Sequence, residues 1–112
     1  MGLVMDLSKT GLDMFFKPYQ ISALKVLWNS STPLSSREVC EKVNESMIIS
    51  RASVINFLDD SVEFGLLDFV ETTGKGGYRR LYSSKVSRFE LKGFLSNVVN
   101  SQLLTLTPQN YR

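Results

Sequence analysis

The chain has 112 residues, 43% of them hydrophobic and 21% charged, with a formal net charge of +2. That is one packed domain's worth, and it sets aside disorder, low complexity and collagen-like repeats. With no histidine and one cysteine, the chain has no histidine-based triad, no zinc cluster and no internal disulfide, so neither catalysis nor a cofactor is expected.

Residues 1–17 form an apolar N-terminal segment that includes Leu3, Leu7, Leu12, Phe15 and Phe16. It carries Asp6 and Asp13 and has no basic start, so it does not read as a signal peptide. No apolar run reaches the roughly 18 residues of a spanning helix, and the expectation is a cytoplasmic protein without membrane contact. Pro18 suits the first turn of a helix. Ile21, Leu24, Leu27 and Trp28 follow at helical spacing, and the helix should end near Asn29. A polar, breaker-rich loop follows, and Pro33-Leu34-Ser35 is expected to pair briefly as an edge strand. Ser35-Ser36-Arg37-Glu38 is a capping box that opens a second, short helix with Val39 and Val43 inward. Cys40 beside them reads as a small buried hydrophobe.

Ser50 caps a third helix reaching roughly Phe64, with Val54, Leu58, Ser61 and Val62 as its inner stripe and Ile55 and Phe57 at the edges. Gly65 sits where a left-handed C-terminal cap belongs, followed by Leu66. Two strand-like runs, 66–72 and 78–83, flank the glycine-rich tip Thr73-Gly74-Lys75-Gly76-Gly77. The tip lacks the spacing of a nucleotide-binding loop. Helical period returns over residues 86–104 with Leu91, Phe94, Leu95, Val98, Val99 and Leu103, and residues 106–112 read as a tail.

The fold class expected from this order is mainly α with a small β-hairpin: a winged helix-turn-helix over residues 18–84 with an added C-terminal helix over 85–105. Four stretches then resemble winged-helix regulators of the penicillinase-repressor type. They are the first helix with its closing Leu27-Trp28, Pro33-Leu34-Ser35-Ser36-Arg37-Glu38-Val39, the run from Ser50-Arg51-Ala52-Ser53-Val54 to Phe64-Gly65-Leu66-Leu67, and Gly77-Tyr78-Arg79-Arg80-Leu81-Tyr82. The resemblance covers roughly residues 18–84 and implies a dimeric DNA-binding transcriptional regulator, most often a repressor. Two departures stand out. The third helix carries Asp59, Asp60 and Glu63 where the family often has basic residues, and the C-terminal part is shorter. The multiple-antibiotic-resistance repressor type, dimerising through both termini, is the second resemblance.

Charge is distributed to match. Residues 75–112 carry seven basic residues against one acidic, a net of +6, whereas residues 1–74 carry six against ten, a net of −4. A basic final third suits a phosphate-facing surface. At about 100° per residue, Ala52, Ser53, Asn56, Asp60 and Glu63 share the face of the third helix opposite Val54 and Leu58. Ser53 and Asn56 are the expected base contacts, with Ser36, Arg37, Ser50 and Arg51 around them and Lys75, Arg79 and Arg80 on the wing. Arg79 and Arg80 are strand neighbours and point to opposite faces; one of them is expected to pair with Glu71 or Asp68. Tyr78 and Tyr82 share a face and read as packing residues.

Two apolar segments lie outside a three-helix core. They are expected to form a homodimer interface through Leu91, Phe94, Leu95, Val98, Val99, Leu103, Phe15 and Phe16, the alternative being packing of one end on the other. The partners expected are therefore double-stranded DNA and a second copy of the chain. In a rival reading the acidic third helix makes the chain a protein-contact module within a larger assembly.

Overall fold

The computed structural model describes residues 4–74 and 77–104. Lys75, Leu3 and the tail at 106–112 lie outside the described residues. A 3-10 turn, Gly11–Met14, precedes α1 (Pro18–Trp28), β1 (Leu34–Ser35), α2 (Ser36–Val43), α3 (Arg51–Phe64), β2 (Leu67–Gly74), β3 (Gly77–Ser84) and α4 (Leu91–Leu103).

Each helix start is a local chemical event. Pro18 opens α1, and the Gln20 side-chain carbonyl accepts the Lys17 N–H at 2.9 Å. Ser35 and Glu38 close the capping box reciprocally: the Ser35 N–H donates to Glu38 Oε1 at 3.1 Å and the Glu38 N–H to Ser35 Oγ at 3.2 Å. The Ser50 hydroxyl accepts the Ser53 N–H at 3.1 Å and starts α3. Gly65, at φ +94°, ends it, and the Leu66 N–H turns back to the Ser61 carbonyl at 2.9 Å.

The sheet has the order β1-β3-β2, all antiparallel. Leu34 and Ser35 face Tyr82 and Leu81, so the expected edge strand forms on the central β3. Helices α1, α2 and α3 pack beneath the sheet around Leu24, Val39, Val43, Val54 and Leu58, all at most 1% exposed.

Three sequence expectations are corrected here. Phe57, expected at an edge, is 4% exposed, while Val62 is only half-buried. The cause is the segment before α1 together with its first turn: the rings of Phe16 and Tyr19 both meet Phe57 edge-on, each with its centroid 6.2 Å from that of Phe57. The last helix begins at Leu91, not near Val86. The polar groups of that stretch are used elsewhere: the Val86 carbonyl accepts the Trp28 indole N–H at 3.0 Å and the Ser84 hydroxyl at 2.6 Å, and the N–H groups of Lys85 and Val86 donate to the Leu66 carbonyl. Third, the two apolar segments are not wholly outside the core. Phe16, Leu91 and Leu95 are 7%, 4% and 6% exposed and belong to the one hydrophobic cluster.

The Ser35 cap makes a direct prediction. Ser35→Ala should cost about 1 kcal/mol, read as a lower urea midpoint at unchanged slope. Glu38 is held below the ordinary carboxylate range, first by the Ser35 backbone N–H and then by its hydroxyl. Its folded pKa is depressed, so its contribution is present above the ordinary range and lost as pH falls through the lowered value. Glu38→Gln should remove that part of the acid dependence of stability.

Candidate nucleic-acid interface

Helices α2 and α3 are joined by a turn that one side chain organises. The Asn44 amide donates to the Cys40 carbonyl at 2.9 Å, and its oxygen accepts the Ile49 N–H at 3.0 Å. The turn brings the N-terminus of α3 beside that of α2. The Ser50 hydroxyl, besides capping α3, donates to Ser53 Oγ at 2.9 Å. Asn56 is exposed one turn further on, and makes no hydrogen bond or ion pair among the described residues.

Three elements then meet around one open cleft of about 590 Å³. Ser36 and Arg37 come from the first turn of α2, Arg51 from the first turn of α3, and Tyr78, Arg79 and Arg80 from β3, with Ser35, Glu71 and Tyr82 completing the lining. Five of the expected contact residues are thus brought together from positions as far apart as 36 and 80. Ser53 and Asn56 lie outside the cleft, further along α3. Arg51 and Arg79 are exposed and form no ion pair or hydrogen bond among the described residues. Arg37 pairs with Glu41 at 3.3 Å, but both side chains are more than 60% exposed; such a pair is worth a few tenths of a kcal/mol and does not hold the arginine back.

Arg80 departs from the expectation. Its partner is neither Glu71 nor Asp68 but Asp59 on α3: Arg80 Nη1 lies 3.2 Å from Asp59 Oδ1. The guanidinium also lies over the Phe69 ring, 4.2 Å from its centroid. The same Asp59 oxygen accepts the Tyr82 phenol O–H at 2.5 Å. Strand alternation explains the geometry. Arg80 and Tyr82 share the face of β3 that turns toward α3, where Phe69 is the cross-strand partner of Tyr82. Arg79 alternates to the other face. Of the three acids on α3, Asp59 therefore already has its countercharge, and Glu63 is exposed.

Tyr78 corrects a second reading. It shares a face with Tyr82 but is 81% exposed, against 3% for Tyr82. The hairpin runs beyond the helices that cover its base, so its outer half has nothing to pack on. Tyr78 is a cleft residue that the sequence reading missed, and its position beside the glycine-rich tip was the available signal.

The residues expected at a dimer interface divide. Phe16, Leu91 and Leu95 are turned into the chain's own core, as described above. Phe94 meets Phe64 edge-on at 5.8 Å and covers Gly65. Phe15, Val98 and Val99 are half-buried, while Leu103 and its neighbour Leu104 are 52% and 80% exposed. Between the 3-10 turn, α1 and α4 runs an apolar groove of about 800 Å³, lined by residues including Leu12, Phe15, Trp28, Leu95 and Val99.

No protein-family model matches the chain, and no curated protein sequence does. Solved structures do. A possible transcriptional regulator from Methanosarcina mazei Go1 superposes with a TM-score of 0.62 at 13% identity, over 78% of this chain and 70% of that one. The PcaV transcriptional regulator from Streptomyces coelicolor, solved in complex with its natural ligand, gives 0.51 at 20% identity over 85% of this chain and 66% of its own. The fold is a winged helix-turn-helix. In its terms α2 and α3 are the helix-turn-helix, α3 standing in the position of that motif's recognition helix, and β2 and β3 the wing. No described helix is long and apolar enough to cross a membrane, and no described group of His, Cys, Asp and Glu is placed to hold a metal.

Tyr82 provides a test of the contact between wing and helix. Burial, and then the hydrogen bond to Asp59, push its phenol well above the ordinary tyrosine range. A raised folded pKa contributes stability below the ordinary value, and that contribution is lost as pH rises. Alkaline titration of phenolate absorbance should show one tyrosine that ionises late in the folded chain and normally in urea. Tyr82→Phe should remove the late phase and leave the others unchanged.

Proposed function

We propose that the chain is a DNA-binding transcriptional regulator, a cytoplasmic repressor that acts as a homodimer and works by binding rather than by catalysis. The observation that carries this reading is the cleft in which Arg37, Arg51 and Arg79 converge beside the N-terminus of the recognition helix. Duplex DNA offers phosphates on either side of a major groove that admits one helix. In this arrangement the tip of α3 enters the groove, Ser53 and Asn56 reach base edges, and the arginines with Lys75 neutralise flanking phosphates. Helix N-termini favour anions as well. Asp60 lies about two turns further on, roughly 10 Å along the axis from Ser53, and Glu63 roughly 15 Å, so a helix inserted by its tip keeps them clear of the backbone. The motif resemblance to the penicillinase-repressor type supports the repressor role.

Exposed Leu103 and Leu104 and the half-buried Val98 and Val99 support self-association through α4. Two copies would read two half-sites, and their energies add. The exposed Glu63 favours a second reading, a winged helix used for protein contact; binding to duplex separates the two.

Duplex binding as a function of salt tests the main reading. Each phosphate contact contributes about −0.9 to the slope of log K against log salt. Replacing Arg51, Lys75 and Arg79 by Ala should weaken cognate and random duplex alike and flatten the slope; an unchanged slope would sink the proposal. Asn56→Ala should cost roughly 1–3 kcal/mol on the preferred site and little elsewhere.

Self-association has its own test. Val98→Glu places a carboxylate in the proposed contact, where an unpaired charge is costly. Sedimentation equilibrium should show a dimer for the wild type and a folded monomer for the variant. A monomeric wild type at micromolar concentration would overturn the dimer.

A further inference from the structure

Asp59 is the one acidic residue of the recognition helix that the proposed DNA contact neither needs nor has to avoid, because it faces the wing. Its Oδ1 atom is shared by two donors from β3, the Tyr82 phenol at 2.5 Å and Arg80 Nη1 at 3.2 Å. Tyr82 is 3% exposed and rooted on the central strand, so one end of the contact is fixed in the core. Arg80 is held from its other side by the Phe69 ring of β2 at 4.2 Å. Among the described residues, these are the only side-chain hydrogen bonds or ion pairs between α3 and the hairpin. The two donors sit two residues apart on one strand, and the carboxylate lies on the side of α3 that packs against it. Beside the apolar packing of α3 on the base of the sheet, this oxygen is the polar point that ties the hairpin to the helix.

We infer that Asp59 is a positioning residue: through Tyr82 and Arg80 it fixes the wing against the recognition helix, so that wing and helix meet the duplex in one register. This rests on the DNA-binding reading. Two consequences follow from the charges. Arg80 is engaged within the protein and is not a phosphate contact, unlike its neighbour Arg79. Asp59 contributes little repulsion toward DNA, because Arg80 neutralises it. Without the Asp59 charge, the guanidinium is released to the nearest phosphate and the wing is free to tilt.

The test compares the full chain with Asp59→Asn, Arg80→Met and the double variant, all on cognate and random duplex over a range of salt. Asparagine keeps the size of the side chain and an oxygen for Tyr82 while removing the charge that holds Arg80. Asp59→Asn should steepen the salt slope by about 0.9, one added phosphate contact, and should lower the ratio of cognate to random affinity several-fold. Arg80→Met should leave the slope unchanged and lower the same ratio. In the Arg80→Met background, Asp59→Asn should no longer steepen the slope, which separates the release of Arg80 from a simple loss of negative charge. A merely destabilising substitution would not steepen the slope. An Asp59→Asn slope and ratio equal to the wild type overturn the inference, as does an Arg80→Met slope flattened by one contact. Should Asp59→Asn fail to fold, the Arg80→Met comparison decides alone. A wild type that binds no duplex overturns the DNA-binding reading itself, a result distinct from any of these.

Discussion

Helix α3 has two duties that only its period reconciles. Along one side it is the centre of the core, with Val54, Phe57, Leu58 and Ser61 buried against α1, α2 and the sheet. Along the other, Ala52, Asn56 and Glu63 are exposed. At about 100° per residue, Ala52 and Asn56 fall on the side opposite the buried Val54 and are exposed, while Arg51, nearer Val54's side, is exposed because it sits in the open first turn. Everything else in the chain either completes the cover on the buried side or shapes the approach to the bare one.

The cover is completed by residues far from α3 in the sequence. Phe16 and Tyr19 close over Phe57, and Phe94 closes over Phe64 and Gly65. Trp28 fastens the segment after the hairpin through its indole N–H, and Arg88 lies over the same ring at 5.8 Å. A core of three short helices and a hairpin is small, and Phe16, Leu91 and Leu95 from the flanking segments are recruited to it. What remains apolar on the surface is correspondingly less than a count of hydrophobic residues suggests. Among the described residues it is spread over Val4, Met5 and Leu7 near the start, Ile48 before α3, Val70 on β2, Phe89 before α4, and Leu103 and Leu104 at its end.

The approach to the bare side is a matter of charge. The basic final third of the sequence does not act as one surface. Arg80 turns toward α3 and pairs with Asp59, Arg88 lies over Trp28, and Arg79 lies beside Arg37 and Arg51 on the cleft. The cleft cations thus come from all along the chain, two of them from its acidic first two thirds. The acidic character of α3 is likewise smaller in space than in sequence, since one of its three carboxylates is matched by a residue 21 positions away.

Local signals determined the elements and the class of fold. Pro18, the Ser35–Glu38 box, the Ser50 cap and Gly65 each act through bonds within a few residues, so the helix limits could be read from adjacent letters, and the order of elements carried the winged helix-turn-helix. The N-terminal position of Arg51, Ser53 and Asn56 on α3 was legible for the same reason. Only the tertiary structure decided the rest. Period alone makes an inward face and an outward one, but it does not say which distant residue covers the inward face. Phe57, Phe16, Leu91 and Leu95 therefore changed sides, and the last helix started late because its first polar groups bond to α1 and the hairpin instead. Nor does strand alternation name the partner of a charge. It separates Arg79 from Arg80, but Asp59 reaches Arg80 because the wing folds back across α3, and a contact made by the path of the whole chain leaves no mark in its neighbouring residues.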